Sequence, residues 1–457
     1  MNRKNEFAAM IDEMNRPAPG LESTLDRAYK KKRKRTMKLI ACPMAGLTAC
    51  FAVFVLLVNF CAPVAYACSR VPVLRELAEA VTLSRSLTDA VENAYVQTMD
   101  IRQTENDITA EIPYVIVDQK QVNIFYRLNS DKYERLAADP VISCGDGDVG
   151  FCVVNSNFGQ ENGELLSVTV DFTHGTVPDE LQCTLRVYSD SVDYSQTPAD
   201  GLVNGMNAEA VPTGPDYLAE IEFTLEFDPE FTASGKVFPV NETVILDGQT
   251  ITVTAVAVYP THMRVEIAEA KDNTAWLKNL DFYIETDWGM KFDSVSNGIT
   301  ATGSVDSPSM VSYRADSTYF YEAERLKLVI TGARWLRKDM ESTYLNLVTG
   351  EHGELPAGAE FDSARKQEGG WVVRFRVDRE EDGSMHRLFG DKVLNTEGNE
   401  YVCNQWHCIL GDADEKGNIT YFYDEIPLKN YPYDEVWLSP LYSHYWTAEN
   451  PIVITVQ

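Results

Sequence analysis

The sequence predicts a mainly β protein: tandem antiparallel β-sandwich-like extracellular domains that follow one transmembrane helix and a membrane-proximal helix. Three observations predict it. Charge is sorted around a single uncharged stretch. That stretch has the length of a membrane span. From about Asp107 onward the apolar residues recur with period two.

Residues 1–38 carry eleven Lys/Arg against five Asp/Glu, residues 39–67 carry no charge, and residues 68–457 carry 29 Lys/Arg against 64 Asp/Glu. A soluble chain has little reason to sort its charges this way, whereas cytoplasmic flanks of membrane spans collect Lys and Arg. Lys30, Lys31, Lys32, Arg33, Lys34 and Arg35 therefore read as a topology anchor rather than a nucleic-acid patch. Against anionic headgroups each is worth about 1 kcal/mol. Leu39 to Phe60 is 22 residues. A helix of that length spans roughly 33 Å against a hydrocarbon core of about 30 Å. A signal-peptide core has only about 7–15 apolar residues and a short charged leader. The expected location is the cell membrane, single-pass, with the N-terminus inside and the acidic bulk outside. Two other readings stay open: cleavage after Ala65-Tyr66-Ala67 that releases the rest, and lipidation of Cys68.

The tail, residues 1–38, holds two apolar stripes. Phe7, Met10, Ile11 and Met14 share one helical face, and Leu21 and Leu25 begin a second after Pro17 and Pro19. Helices this short are marginal alone, so the stripes either lie on the membrane or fold onto a partner protein. After the span (39–60), helical spacing returns from about Pro72 to Tyr95, with Pro72 suited to a helix start.

The β region opens with ITAEIPYVIV, QVNIFYRL, LLSVTVDF, LQCTLRVY and AEIEFTLEF, strands bounded by Gly, Asn, Asp and Pro. The pattern then restarts: TVILDGQTITVTAVAVYPTHMRVEI has the shape of DITAEIPYVIVDQKQVNIFYRL. IEFTLEF, LKLVITG and PIVITVQ read as similar closing strands. The expected domains are 61–234 (membrane-proximal helix plus first β domain), 235–337 (second) and 338–457 (third).

Six cysteines follow the span, an even number that permits disulfides. Cys144 and Cys152 bracket what reads as a hairpin, and Cys403 and Cys408 lie close in sequence, so these two pairs are the candidates, against free buried thiols. CNQWHC (403–408) lacks the second ligand pair of a structural zinc site. GDADEKGN (411–418) lacks the oxygen ligands an EF-hand needs at its fifth and twelfth positions, and reads as a turn. Ser363 and Lys366 match S-x-x-K without its companion motifs. There is no nucleophile elbow, zinc-protease motif, P-loop or dinucleotide fingerprint, and the six His are scattered. No enzyme and no cofactor is expected. The aromatic run from Tyr431 to Trp446 is either core or a ligand surface.

PAPGLESTLDRAYKKKRKR, the exit segment APVAYA, VPVLRELAEAV, LTDAVENAY and DITAEIPYVIVDQKQVNIFYRL together resemble the DUF4179 family of Gram-positive single-pass membrane proteins. FPVNETVILDGQTITVTAVAVYPTHMRVEI is similar to a second domain, DUF5643. The resemblance covers roughly residues 17–155 and 220–335. It implies an anti-sigma-factor-like protein whose tail holds an extracytoplasmic-function sigma factor while the β domains meet an unknown extracellular ligand. The 38-residue tail is shorter than a full helical anti-sigma domain and has neither His nor Cys. The alternative is an anchored cell-surface binding or structural protein with no regulatory role inside.

Overall fold

The structure, a computed structural model, describes residues 10–12, 71–145, 149–155, 162–189, 216–232, 235–294, 299–303, 308–367, 369–379, 385–403, 406–413 and 418–457. Residues 1–75 and 76–457 form separate compact units. The predicted span, the basic cluster and Cys68 lie outside the described residues. Among the described residues, no helix is long and apolar enough to cross a membrane. The second unit is mainly β, with antiparallel sheets and few helices.

Two helices come first, α1 (Val71–Ala80) and α2 (Arg85–Glu92). The sequence reads as one helix here; the structure breaks it. The Thr82 hydroxyl donates back to the carbonyls of Ala78 and Glu79. Ser84 then takes an extended backbone (φ −118°) and its side chain accepts the Leu87 N–H, which restarts the helix.

Eight strands build the first core: β1 (Gln97–Glu105), β2 (Ile108–Val117), β3 (Gln121–Asn129), β4 (Leu136–Ser143), β5 (Gly150–Asn155), β6 (Leu166–His174), β7 (Glu180–Ser189) and β8 (Ala219–Glu226). They form one sheet of order β1-β2-β3-β6-β5 and one of order β4-β7-β8. Alternate residues of both sheets share one apolar core, as period two requires: Val122, Ile124 and Tyr126 from one, Leu181, Cys183 and Leu185 from the other. Asn106 and Asp107 both take positive φ (51° and 63°), the two-residue turn whose twist suits a hairpin.

The second core repeats this plan. Its strands are β9 (Lys236–Leu246), β10 (Gln249–Val258), β11 (Met263–Glu269), β12 (Ala275–Thr286), β13 (Lys291–Asp293), β14 (Ala301–Gly303), β15 (Met310–Ala315) and β16 (Leu326–Arg337). Asp247-Gly248 supplies the same kind of turn (φ 50° and 74°). The sheet β9-β10-β11-β15-β14 has the order of β1-β2-β3-β6-β5.

The third core uses β17 (Thr343–Asn346), β18 (Ala359–Gln367), β19 (Gly370–Asp378), β20 (Phe389–Leu394), β21 (Glu400–Val402), β22 (His407–Leu410), β23 (Tyr421–Lys429) and β24 (Glu435–Pro440), in sheets β17-β24-β20-β21 and β18-β19-β23-β22. The chain then returns. Its last strand, β25 (His444–Thr455), pairs with β16 from Lys327↔Thr455 to Trp335↔His444, and Ile454 and Val456 enter the second core. The sequence places PIVITVQ at the end of the third domain; the hydrogen bonds place it in the second. β12-β16-β25 thus matches β4-β7-β8, and the third core sits in the connection that corresponds to the one between β7 and β8. The crossing is tied: the backbone N–H and the hydroxyl of Ser443 both donate to the Trp335 carbonyl (2.7 and 2.8 Å), and the Arg337 N–H donates to the Ser443 hydroxyl (3.0 Å).

Neither candidate cysteine pair forms a disulfide; Cys144, Cys152, Cys403 and Cys408 are free thiols, as is Cys183. The segment around Cys144 and Cys152 is not a hairpin. β4 pairs with β7 and β5 with β6, so the chain passes from one sheet to the other between the two cysteines. Cys403 and Cys408 flank the same kind of crossover, from the sheet of β21 to that of β22.

Candidate functional site

The two hairpins that look alike in sequence meet at their tips. The β2–β3 turn supplies Asp118, Lys120 and Gln121; the β10–β11 turn and the start of β11 supply Thr261, His262 and Arg264. Asp171 of β6 and Arg314 of β15 complete a cluster of charged side chains buried between the first and second cores. Asp118, Gln121, Asp171, His262 and Arg314 are all 0% exposed.

Asp171 is the centre. Its two oxygens accept a forked pair from Arg314, Nη2 to Oδ1 at 2.7 Å and Nε to Oδ2 at 3.0 Å. Arg264 Nη2 adds a bond at 3.1 Å and Gln121 Nε2 one at 3.2 Å. Burial by itself would raise this carboxyl. The Arg314 hydrogen bonds and charge, with the charge of Arg264, override it and hold Asp171 well below the usual carboxylate range. Arg264 also donates to two backbone carbonyls of the first core, Phe172 (2.9 Å) and Lys120 (3.2 Å).

A directed chain of hydrogen bonds runs beside it. Arg264 Nε is always a donor, so His262 Nε2, 2.9 Å away, accepts. Burial, then the nearby guanidinium of Arg264, keeps the imidazole neutral by pushing its pKa well down. Its proton therefore sits on Nδ1 and is donated to the Thr261 hydroxyl (2.8 Å), which donates to Asp118 Oδ2 (2.6 Å). Asp118 also accepts the backbone N–H groups of Lys120, Gln121 and Thr261. The sequence order Thr-His-x-Arg thus spans from one carboxylate of the first core to the other. With its carboxylates, guanidinium groups and imidazole all hydrogen-bonded and buried, the arrangement locks two β cores together.

A second contact seats the helices. The outer face of β3, opposite its core face, carries Gln121, Asn123, Phe125 and Arg127, and Arg127 binds Glu76 of α1 at 2.6 Å. α2 docks on the second core. The Arg85 guanidinium lies 4.0 Å from the Phe292 ring centre and donates to the Lys291 carbonyl (2.8 Å). The Ser86 hydroxyl donates to Asp316 (3.2 Å) and accepts the Ser317 N–H (2.8 Å). Tyr321 donates to Asp89 (3.1 Å).

None of the residues singled out from the sequence belongs to these contacts, although Cys152 neighbours one, its thiol 3.8 Å from the Asp171 carbonyl. Phe7, Met14, Leu21, Leu25 and Lys30 to Arg35 lie outside the described residues. Met10 and Ile11 are in a described helical turn and are exposed. Ser363 and Lys366, three apart on β18, face opposite sides of the sheet. Trp406 of CNQWHC donates to Asp424 (2.8 Å). Ala413 and Ile419 pair in an isolated antiparallel bridge, and residues 414–417 of the acidic loop lie outside the described residues. Among the described residues, no group of three or more His, Cys, Asp or Glu is placed to hold a metal. The aromatic run divides: Tyr431 and Tyr442 lie in the third core, while Trp446 packs against the second. The signal that pointed to the lock was the repeat itself, since its two turn sequences, VDQKQ and YPTHMR, supply most of the cluster.

Among solved structures, a conserved domain protein from Bacillus anthracis is similar with a TM-score of 0.38 and 12% identity, over 59% of this chain and 82% of its own length. A marsupial T cell receptor is similar with a TM-score of 0.12 and 9% identity, over 74% and 96%. No curated protein matches. Residues 31–130 match the model of a domain of unknown function (DUF4179), and residues 235–356 match that of a family of unknown function (DUF5643). The α2 seat joins residues of one match to residues of the other. The chain thus matches these two family models in tandem, DUF4179 followed by DUF5643.

Proposed function

We propose that this chain is a single-pass membrane protein of envelope signalling. Its acidic β domains grip the membrane-proximal helices outside the cell, and its basic tail binds a cytoplasmic regulator. By the family resemblance, that regulator is an extracytoplasmic-function sigma factor. One observation carries the reading. The first described helices after the predicted span are held by both β cores, α1 through Glu76 and α2 through Arg85, Ser86 and Asp89. A tether that only displayed a surface domain would need no such grip. With it, a change in the β cores reaches Glu76 and α2. Of the apolar stripes that the tail offers to a regulator (Phe7, Met10, Ile11, Met14, Leu21 and Leu25), the described members Met10 and Ile11 are exposed at 56% and 45%.

The test is to solubilise the full chain from its native membrane and identify co-purifying proteins by mass spectrometry, for wild type and for the double variant Met10→Asp, Ile11→Asp. The reading expects a sigma factor with wild type and its loss from the variant. A preparation free of cytoplasmic proteins, with target-gene output unaltered by the variant, would leave the anchored surface-binding reading in its place.

A further inference from the structure

Asp171 and Asp316 hold equivalent positions in the two repeats. Asp171 lies one residue beyond the cross-strand pair Val122↔Val170, and Asp316 one residue beyond Met263↔Ala315. Each carboxylate anchors a neighbour, but they are compensated differently. Asp171 faces two guanidinium groups. Asp316 has one cation near it, Arg85, whose charge also serves Asp89. Asp89 is itself 9% exposed, and its Oδ2 has no hydrogen-bond partner. The seat of α2 thus encloses two carboxyl groups against one guanidinium, with an orphan carboxylate oxygen. The other charged groups around it do not close the gap. Glu92 of α2 and Asp293 of β13 add negative charge. Lys291 turns its amine toward the Tyr283 ring, 4.0 Å away, and meets Arg85 through its backbone carbonyl.

We propose that the α2 seat is a proton-operated latch: protonation of Asp316 and Asp89 supplies the missing compensation, so the helix is held more tightly in mild acid than at neutral pH. A protonated Asp89 gains a donor on the oxygen that lacks a partner. A neutral Asp316 keeps its bond from Ser86 and no longer leaves a half-buried charge partly compensated. Burial, opposed by the Ser86 bond and by Arg85, pushes Asp316 up to about 6. In this latch the burial comes from the docked helix and outweighs the Ser86 bond and the Arg85 charge that the helix brings, so the carboxyl takes up a proton on docking and docking strengthens as pH falls through 6. For one such group, pH 7.5 to pH 5 changes the docking constant by roughly ten-fold. The latch stands whatever the tail binds.

The test is hydrogen exchange of the full chain in detergent, read on peptides that cover residues 85–92, with protection corrected for intrinsic exchange. β16 peptides serve as the internal reference. The expected result is protection of α2 roughly ten-fold higher at pH 5 than at pH 7.5, with β16 unchanged. The variants Asp316→Asn and Asp89→Asn are expected to show the acid level of protection already at pH 7.5. Equal α2 protection in wild type at the two pH values would overturn the latch, and that comparison needs no variant. A change shared equally by α2 and β16 would overturn it too, because the effect would then belong to the whole second core.

Discussion

Replacing Arg314 by Met removes the forked partner of Asp171 and keeps most of the side-chain volume. The change removes the bonds at 2.7 and 3.0 Å to Asp171, those from Nη1 to the Ser312 hydroxyl and carbonyl (2.7 and 3.2 Å), the long bond to the Thr302 hydroxyl (3.4 Å) and the buried positive charge. Removing one partner of a buried pair costs about 3–5 kcal/mol, because the other charge stays buried. Arg264 at 3.1 Å and Gln121 at 3.2 Å remain, so the expected loss is at the lower end, about 3 kcal/mol. Urea unfolding of the full chain, followed by hydrogen exchange on peptides from each core, reads it. The first and second cores shift and the third does not. The double variant Asp171→Asn, Arg314→Met also takes the carboxylate partner from the buried Arg264, so it is expected to lose at least as much as Arg314→Met. pH supplies a second check. In wild type the Asp171 carboxyl is depressed below its ordinary 3.8, so its contribution is present above that value and lost only in stronger acid. Without Arg314 the carboxyl loses its strongest partner and moves up from its wild-type position, so the gap in stability between wild type and variant narrows in acid. A loss under about 1 kcal/mol would refute the claim that this pair carries the lock.

Three further outcomes are expected. Gly332→Ala places a methyl 2.8 Å from the Tyr445 hydroxyl and 3.0 Å from the Trp446 carbonyl, where β25 joins β16. It is expected to cost about 1–3 kcal/mol and to lower exchange protection in β25; unchanged β25 protection would count against the strand return. Gly248→Ala meets no neighbouring atom, but φ there is +74°, so it is expected to cost about 1 kcal/mol through backbone strain alone, read as a shift in the urea midpoint of the second core. Alkylation in denaturant without reductant is expected to modify Cys144, Cys152, Cys183, Cys403 and Cys408. In the folded chain Cys183, wholly buried and with its thiol pushed up to about 12, reacts slowest. A disulfide-linked peptide between Cys403 and Cys408 would contradict the free thiols.

What could be read from the residues in order was local. ITAEIPYVIV, QVNIFYRL, LLSVTVDF, LQCTLRVY and AEIEFTLEF coincide with β2, β3, β6, β7 and β8, because alternation is a property of a strand and its own two faces. The repeat was legible too, since a repeated topology needs the same strands and turns in the same order. The helix break at Ser84 was not, because one side-chain cap outweighed a continuous apolar stripe.

By itself, the sequence determined the β character, the hairpin repeat and the sorting of charge around residues 39–67. Only the tertiary structure decided which strands pair. PIVITVQ alternates equally well on any open edge, and the unpaired edge of β16 took it. The cysteine pairs failed for the same reason: nearness along the chain says nothing about which sheet a strand joins. The lock needed the structure most of all. Asp118 and Asp171 are two among 69 acidic residues. What distinguishes them is that a second β core closes over them and removes water, and burial turns ordinary charges into obligatory partners.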